Sequence, residues 1–380
     1  MVTRLITKLS HIIGDLIKKI RSRLFSPATQ FERKILNFIF KIFNFIFLRT
    51  NFFRKNQGLL IWDIRSNSIT YDLIYLLFET KKFFDNYYLR NFDVLIFHPI
   101  DYSTKLPNIE NYKKFINTQD LSNRVKDLIL PILYSTKNVK NVYYSKSYLE
   151  TIKIFSNYNF ILPKIYNPYF YSPNPQDYKK LFKHFNSLSC RNIYTSCPLD
   201  IANTYPKEKK FSELYATFTL RDYGFRKERN TNLQDIKNFL LFCKLNFYKP
   251  IIIPDDLKKI VFYNKNFKNL HFFIPARQNF MERVFIYKHS KVNFFSPSGP
   301  SSLSMFMPLT KTIIFNFCIG CIDCNKKYYK KEIGLDFGDQ PFLTFGGYLI
   351  WSNKSERSTI NEFLKAYTKI KEYLQNSISR

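Results

Sequence analysis

The chain has 380 residues, of which 45% are apolar and only 9 are Gly and 17 Pro. This excludes disordered, collagen-like and linker-dominated classes and leaves room for two ordinary domains with a buried core. Lys and Arg number 59 against 29 Asp and Glu, a formal charge of +30. That balance fits an anionic partner such as a nucleotide, a phosphate-bearing acceptor or an acidic membrane surface. It also fits an AT-rich coding sequence, because Lys, Asn, Ile, Phe and Tyr are inflated together, so the location of the charge matters more than its total.

Residues 1–57 stand apart, with twelve Lys and Arg against Asp15 and Glu32. Val2, Leu5, Ile6, Leu9, Ile12, Ile13, Leu16, Ile17 and Ile20 fall on one face of a helix that Ser26-Pro27 ends. Ile35 to Leu48 is apolar nearly all round. Fourteen helical residues rise about 21 Å, short of the roughly 30 Å hydrocarbon core. Two readings stay open: an anchor on an anionic cytoplasmic leaflet, or a helical pair packed on the protein's own core. There is no cleavable signal and no run of about 18 apolar residues. The expected location is cytoplasmic, peripheral on the inner face of the membrane.

From Gly58 the pattern is α/β. Leu59 to Trp62 reads as a buried strand, Asp63 to Ser68 as a polar turn, and 69–85 as a helix. Asp93 to Phe97 and Val139 to Tyr144 are further strands, an order that argues a parallel sheet. Residues 163–210, rich in Pro, Asn, Tyr and Ser, read as a connection. The second half repeats the grammar. Its strands are Ala216–Leu220, Pro250–Ile253, Leu270–Ile274, Lys291–Phe295 and Thr312–Phe317. Its helices are Leu233–Leu245, Phe280–His289, Ser301–Met307 and 360–375. The expected architecture is two Rossmann-like domains, 58–205 and 206–380, facing across a cleft behind the basic helical extension 1–57.

Two turns carry the chemistry. Thr219 to Asn230 follows a strand and precedes a helix, and ligands of open α/β sheets bind beyond the carboxyl ends of strands. Arg221, Arg226 and Arg229, with Asn230, suit the phosphates of a nucleoside diphosphate, because guanidinium forks match phosphate oxygens. The other reading is a solvated basic loop. Phe294 to Leu303 is a strand, a Ser/Gly turn and a helix start. There Gly299 permits close backbone approach, and Ser296, Ser298, Ser301 and Ser302 offer hydroxyls that either bind phosphate or cap the helix.

The stretch Thr219-Leu220-Arg221-Asp222, then Arg229-Asn230, a helix and Tyr248 to Asp255, resembles a group of bacterial glycosyltransferases, as does His289 to Leu303. The resemblance covers 213–317 well, is loose over 58–160 and is absent from 1–57. It implies a two-Rossmann (GT-B-like) fold, a nucleotide-sugar donor in the carboxyl-terminal lobe, no obligatory metal or cofactor, and Arg221 and Arg229 as donor-binding residues. Phe294-Phe295 is bulkier than the residues usual before that turn.

Asp63 and His98 each end a predicted strand and are the candidates for the base that deprotonates an acceptor hydroxyl; a turn cap and an ordinary strand-end residue are the alternatives. Asp222 is another carboxylate candidate for the base, the alternative being that, beside Arg221, it only orients that arginine. Cys318, Cys321 and Cys324 invite a metal reading that Cys190 and Cys197 would have to complete, but no paired C-x-x-C knuckle is present, and free thiols are expected. The sequence therefore argues an enzyme that moves sugar from a nucleotide-sugar to a cell-surface glycan or lipid-linked acceptor. A nucleic-acid-binding protein and a membrane-associated non-enzymatic protein are the alternatives. Nucleic acid is disfavoured because the aromatics lie in apolar runs and no recognition motif occurs.

Overall fold

The computed structural model describes residues 55–99 (except 66 and 68), 122–166 (except 164 and 165), 199, 213–317 (except 224–226, 268–269 and 308–309) and 325–378 (except 353–357). The amphipathic segments of the extension and the Cys318-Cys321-Cys324 cluster fall outside these residues. The fold is α/β, with two parallel sheets.

The first sheet holds β1 (Lys55–Asp63), β2 (Phe92–Phe97), β3 (Val139–Ser145) and β4 (Tyr158–Leu162) in the order β3-β2-β1-β4. Leu59 to Trp62 and Val94 to Phe97 are buried on both faces, which is why these strands read as unbroken apolar runs. A buried carboxylate, Asp93, bridges the strands. Asp93, fully buried, accepts hydrogen bonds from Gln57 Nε2 (2.6 Å), Asn141 N and Nδ2 (3.1 and 3.0 Å) and Tyr158 Oη (2.5 Å). These donors come from the other three strands, so the carboxylate is satisfied and pins their register.

Between β1 and β2 runs α1 (Asp72–Asp85), and α2 (Leu130–Tyr134) precedes β3. The helix α3 (Tyr148–Phe155), which follows β3, is capped by Ser147 Oγ accepting from Glu150 N. Compact packing does not follow chain order. Residues 55–67, 91–99 and 141–166 belong to one unit, whereas 69–90, 122–140 and 213–378 belong to the other.

The second sheet contains β5 (Tyr215–Thr219), β6 (Lys249–Ile253), β7 (His271–Phe272), β8 (Asn293–Phe295), β9 (Thr312–Ile314) and β10 (Gly347–Leu349). All its pairings are parallel and the order is β10-β9-β8-β5-β6-β7. Numbered from the first strand of the unit, this is 3-2-1-4-5-6, the order of doubly wound nucleotide-binding sheets. The helix α4 (Leu233–Leu245) is started by a capping box in which Asn232 and Asp235 exchange hydrogen bonds, and it packs with α9 (Ile360–Ile378) through Phe239, Phe242, Phe363 and Ile370. The short helices α5 (Ile260–Asn266) and α6 (Pro275–Gln278) precede α7 (Phe280–His289). In the same unit, α8 (Gly299–Met305) packs against α1 and α7.

Differences from the sequence expectation are local. The strand expected over 312–317 ends at Ile314, because Asn316 turns the chain into the left-handed region at φ 54°. The strand expected over 270–274 shrinks to two residues. Six elements, α2, α3, β4, α5, α6 and β10, were not expected.

Candidate donor site

The switch point of the second sheet lies between β5, its first strand, and β8, its fourth. The turn after β5 closes on itself: Arg221 N donates to Thr231 Oγ1 and Thr231 N to Arg221 O, each at 2.9 Å. Asn230 braces the interior, its Oδ1 accepting from Arg221 Nη1 (2.5 Å) and Tyr223 N (3.2 Å) while its Nδ2 donates to Tyr223 O (3.1 Å). Asn230 is thus a buttress of the loop, and it holds Arg221, which is 8% exposed, in one direction.

The turn after β8 is tied to this loop. Arg229 Nη2 donates to Pro297 O at 2.9 Å, and the Thr231 and Ser296 hydroxyls lie 2.7 Å apart. Where the turns meet, three buried polar atoms have no hydrogen-bond partner among the described residues: Arg229 Nε, Asn232 Nδ2 and Ser298 Oγ. Ser298 occupies the residue before α8, yet its side chain makes no capping bond. Gly299 is needed for space, because a Cβ there would stand 3.0 Å from Tyr71 Cδ2.

The structure therefore brings Arg221, Arg229, Asn230, Ser296, Ser298 and Gly299 to one edge of the sheet. Ser301 and Ser302 are engaged otherwise: Ser301 Oγ donates to Ser298 O (2.6 Å) and Ser302 Oγ to Tyr75 Oη on α1 (3.3 Å). Arg226 lies outside the described residues. Asp222 does not orient Arg221. Its carboxylate pairs with Lys259 Nζ at 2.5 Å and its N–H donates to Asp255 Oδ2 at 3.1 Å, because Asn230 holds Arg221 on the other side of the loop.

Asp63 and His98 sit in the first unit at the carboxyl ends of β1 and β2. Asp63 is 1% exposed and both its oxygens are engaged. Oδ1 accepts from Arg65 N and Nε (3.0 Å each), and Oδ2 from Arg65 Nη2 (2.6 Å) and Tyr166 Oη (3.0 Å). The paired guanidinium also lies 4.8 Å from the Phe97 ring centroid. His98 Nδ1 lies 2.5 Å from Tyr144 Oη. Burial, and then Lys146, hold its imidazole below the ordinary range.

The sequence reading passed over Asp72. It opens α1, next to the Tyr71 that packs on Gly299, is half-buried, and accepts from Thr70 Oγ1 at 2.8 Å. The local signal was an acidic residue at a helix start, which reads as an ordinary favourable helix-dipole contact. The packing of α1 on α8 brings its neighbour Tyr71 against Gly299 of the Ser-Gly turn. No group of three or more His, Cys, Asp or Glu among the described residues could hold a metal ion. No described helix is long and apolar enough to cross a membrane.

No family model and no curated protein matches the chain. Among solved structures it is similar to the iron-containing dodecameric glycosyltransferase TibC from enterotoxigenic E. coli, at 12% identity over 84% of this chain and 78% of that one, with a TM-score of 0.42. It is also similar to the ADP-heptose LPS heptosyltransferase II of E. coli (9% identity, 84% and 99% covered, TM-score 0.40). A glycosyl transferase family 9 protein from Veillonella parvula gives 9% identity, 84% and 98% covered, and a TM-score of 0.45.

Proposed function

We propose that the chain is a glycosyltransferase that moves a sugar from a nucleotide-sugar donor to a glycan or lipid-linked acceptor, with the donor diphosphate at the β5/β8 switch point. One observation carries this reading. Arg229 Nε, Asn232 Nδ2 and Ser298 Oγ are buried and lack partners among the described residues, on two turns bonded to each other at the strand ends. Leaving such a group unsatisfied costs about 1–3 kcal/mol. Three at one point favour an oxygen-rich ligand that recovers the cost on binding. Two of the three atoms are donors and Ser298 can donate.

In the proposed reaction an acceptor hydroxyl oxygen attacks the anomeric carbon and gives up its proton to a base. The bond from that carbon to the diphosphate oxygen breaks, and the developing negative charge is met by Arg229 and Ser298. Asp72, next to the Tyr71 that packs on Gly299, is our first candidate for the base. His98, neutral at pH 7 by virtue of its lowered pKa, is the second. Asp63 serves Arg65 instead, since releasing either oxygen would break a buried ion pair. The transfer as proposed uses no metal, the arginines supplying the positive charge. Residues 1–57 hold the enzyme against an anionic cytoplasmic leaflet, beside lipid-linked acceptors.

The test is a panel of UDP-, GDP-, CMP- and ADP-linked sugars, including the ADP-heptose named for the E. coli neighbour, read by thermal shift and then by donor turnover with chelator present. One nucleotide series is expected to stabilise the protein. Asp72→Asn should keep donor binding and lose at least about a hundredfold in turnover, within the range of general-base contributions. Full activity in Asp72→Asn with activity lost in His98→Gln would move the base to His98. Turnover lost to chelator and restored by metal would overturn the metal-free step, and a protein stabilised by no donor would overturn the assignment.

A further inference from the structure

Arg283 lies one turn into α7 and is only 7% exposed. Its Nε donates to Ala276 O at 2.7 Å and its Nη1 to Tyr287 Oη at 3.4 Å. Those bonds use two of its five N–H groups. No carboxylate among the described residues forms an ion pair with it. The carboxylate that acts on it electrostatically is Asp255, which is shared with Arg221 and Arg277. A guanidinium taken out of water without a matched anion is unfavourable, so its retention calls for one.

Its surroundings connect it to the donor site. Tyr287 Oη lies 2.7 Å from Thr219 Oγ1, at the end of β5, and the Tyr287 ring meets Phe295, at the end of β8, edge-on. Tyr287 therefore fixes Arg283 against the two strands that frame the switch point. The charge of Arg283 also acts on half-buried Tyr71, whose ring packs on Gly299. Arg283 is thus held through Tyr287 at the carboxyl ends of β5 and β8, while Arg229 bonds to Pro297 O from the loop after β5.

We infer that Arg283 is a second anion-recognition residue of the pocket, taking the oxygens of a phosphate beyond the one held by Arg229 and Ser298. The inference rests on the proposed donor site. It makes the pocket selective for diphosphates over monophosphates.

The experiment measures binding of matched nucleoside mono- and diphosphates (AMP and ADP, UMP and UDP, GMP and GDP) to the full chain by calorimetry. The wild type is expected to favour the diphosphate at least about tenfold in the series it binds, the increment of one charge-assisted contact. Arg283→Met should bring that ratio close to one while leaving monophosphate affinity unchanged. Arg283→Lys, which keeps the charge but loses the fork, should give an intermediate ratio, and it carries the test if Arg283→Met does not fold. An unmoved ratio in a folded variant, or equal weakening of both ligands, would overturn the inference while leaving the donor site standing. A wild type that binds neither ligand would overturn the donor-site reading and this inference with it.

Discussion

The most informative single substitution is Ser298→Ala, because it is expected to make the ligand-free protein more stable and the ligand bind worse. Ser298 Oγ is buried without a partner among the described residues and makes no capping bond to α8. The usual loss on replacing a capping serine, about 1 kcal/mol, is the loss of a bond that is absent here. Removing the hydroxyl relieves an unsatisfied polar group instead, a gain of about 1 kcal/mol and at most about 3. The backbone carbonyl of residue 298, which accepts from Ser301 N (3.2 Å) and Oγ (2.6 Å), is untouched. For a unit of this size the melting temperature should rise by roughly 2–4 °C per kcal/mol. In the bound state the same hydroxyl donates to a charged phosphate oxygen, worth about 1.5–3 kcal/mol, so affinity should fall by about 10–150-fold. Calorimetric melting with and without the nucleoside diphosphate reads both effects on one sample. A ligand-free variant that melts lower, as for an ordinary lost cap, or a nucleotide affinity unchanged within about twofold, would refute the reasoning.

Two further predictions concern other parts of the chain. Burial and Lys146 lower the His98 pKa, so the folded protein takes up this proton less readily than the unfolded chain. The stability this contributes is present above the unfolded value of about 6.5 and is lost as the pH falls below it. Melting temperature should decline from about pH 7 to about pH 5, less steeply in His98→Gln; identical slopes would count against the assignment. β1 begins at Lys55, so removal of residues 1–50 spares the strand. That truncation is expected to retain nucleotide binding and to lose co-sedimentation with anionic vesicles, and continued sedimentation would refute the anchor.

Where local chemistry is decisive, the sequence and the structure agree closely. Leu233–Leu245 and Phe280–His289 begin and end at the residues their periodicity assigns, since Asn232 and Asn279 both cap from the residue just before. The buried strands announce themselves as apolar runs flanked by polar turns, and the two turns with binding chemistry are visible as clusters of Arg and of Ser with Gly. Elements with weaker patterns were passed over. YNFIL of β4 is short and only partly buried.

By itself the amino-acid sequence determined two parallel α/β halves and an anion-suited turn at the end of each of two strands, because periodicity, capping and turn chemistry act within a few residues. Only the tertiary structure decided which side chains are available at those turns. Asp63 is consumed by Arg65, Asp222 by Lys259, Ser301 by the Ser298 carbonyl and Ser302 by Tyr75 on α1. Arg229 and Ser298 keep buried atoms without partners among the described residues, and Tyr71, from a distant helix, packs on Gly299. The strand order that puts β5 beside β8 comes from pairings across more than seventy residues, and no local pattern encodes a partner at that separation.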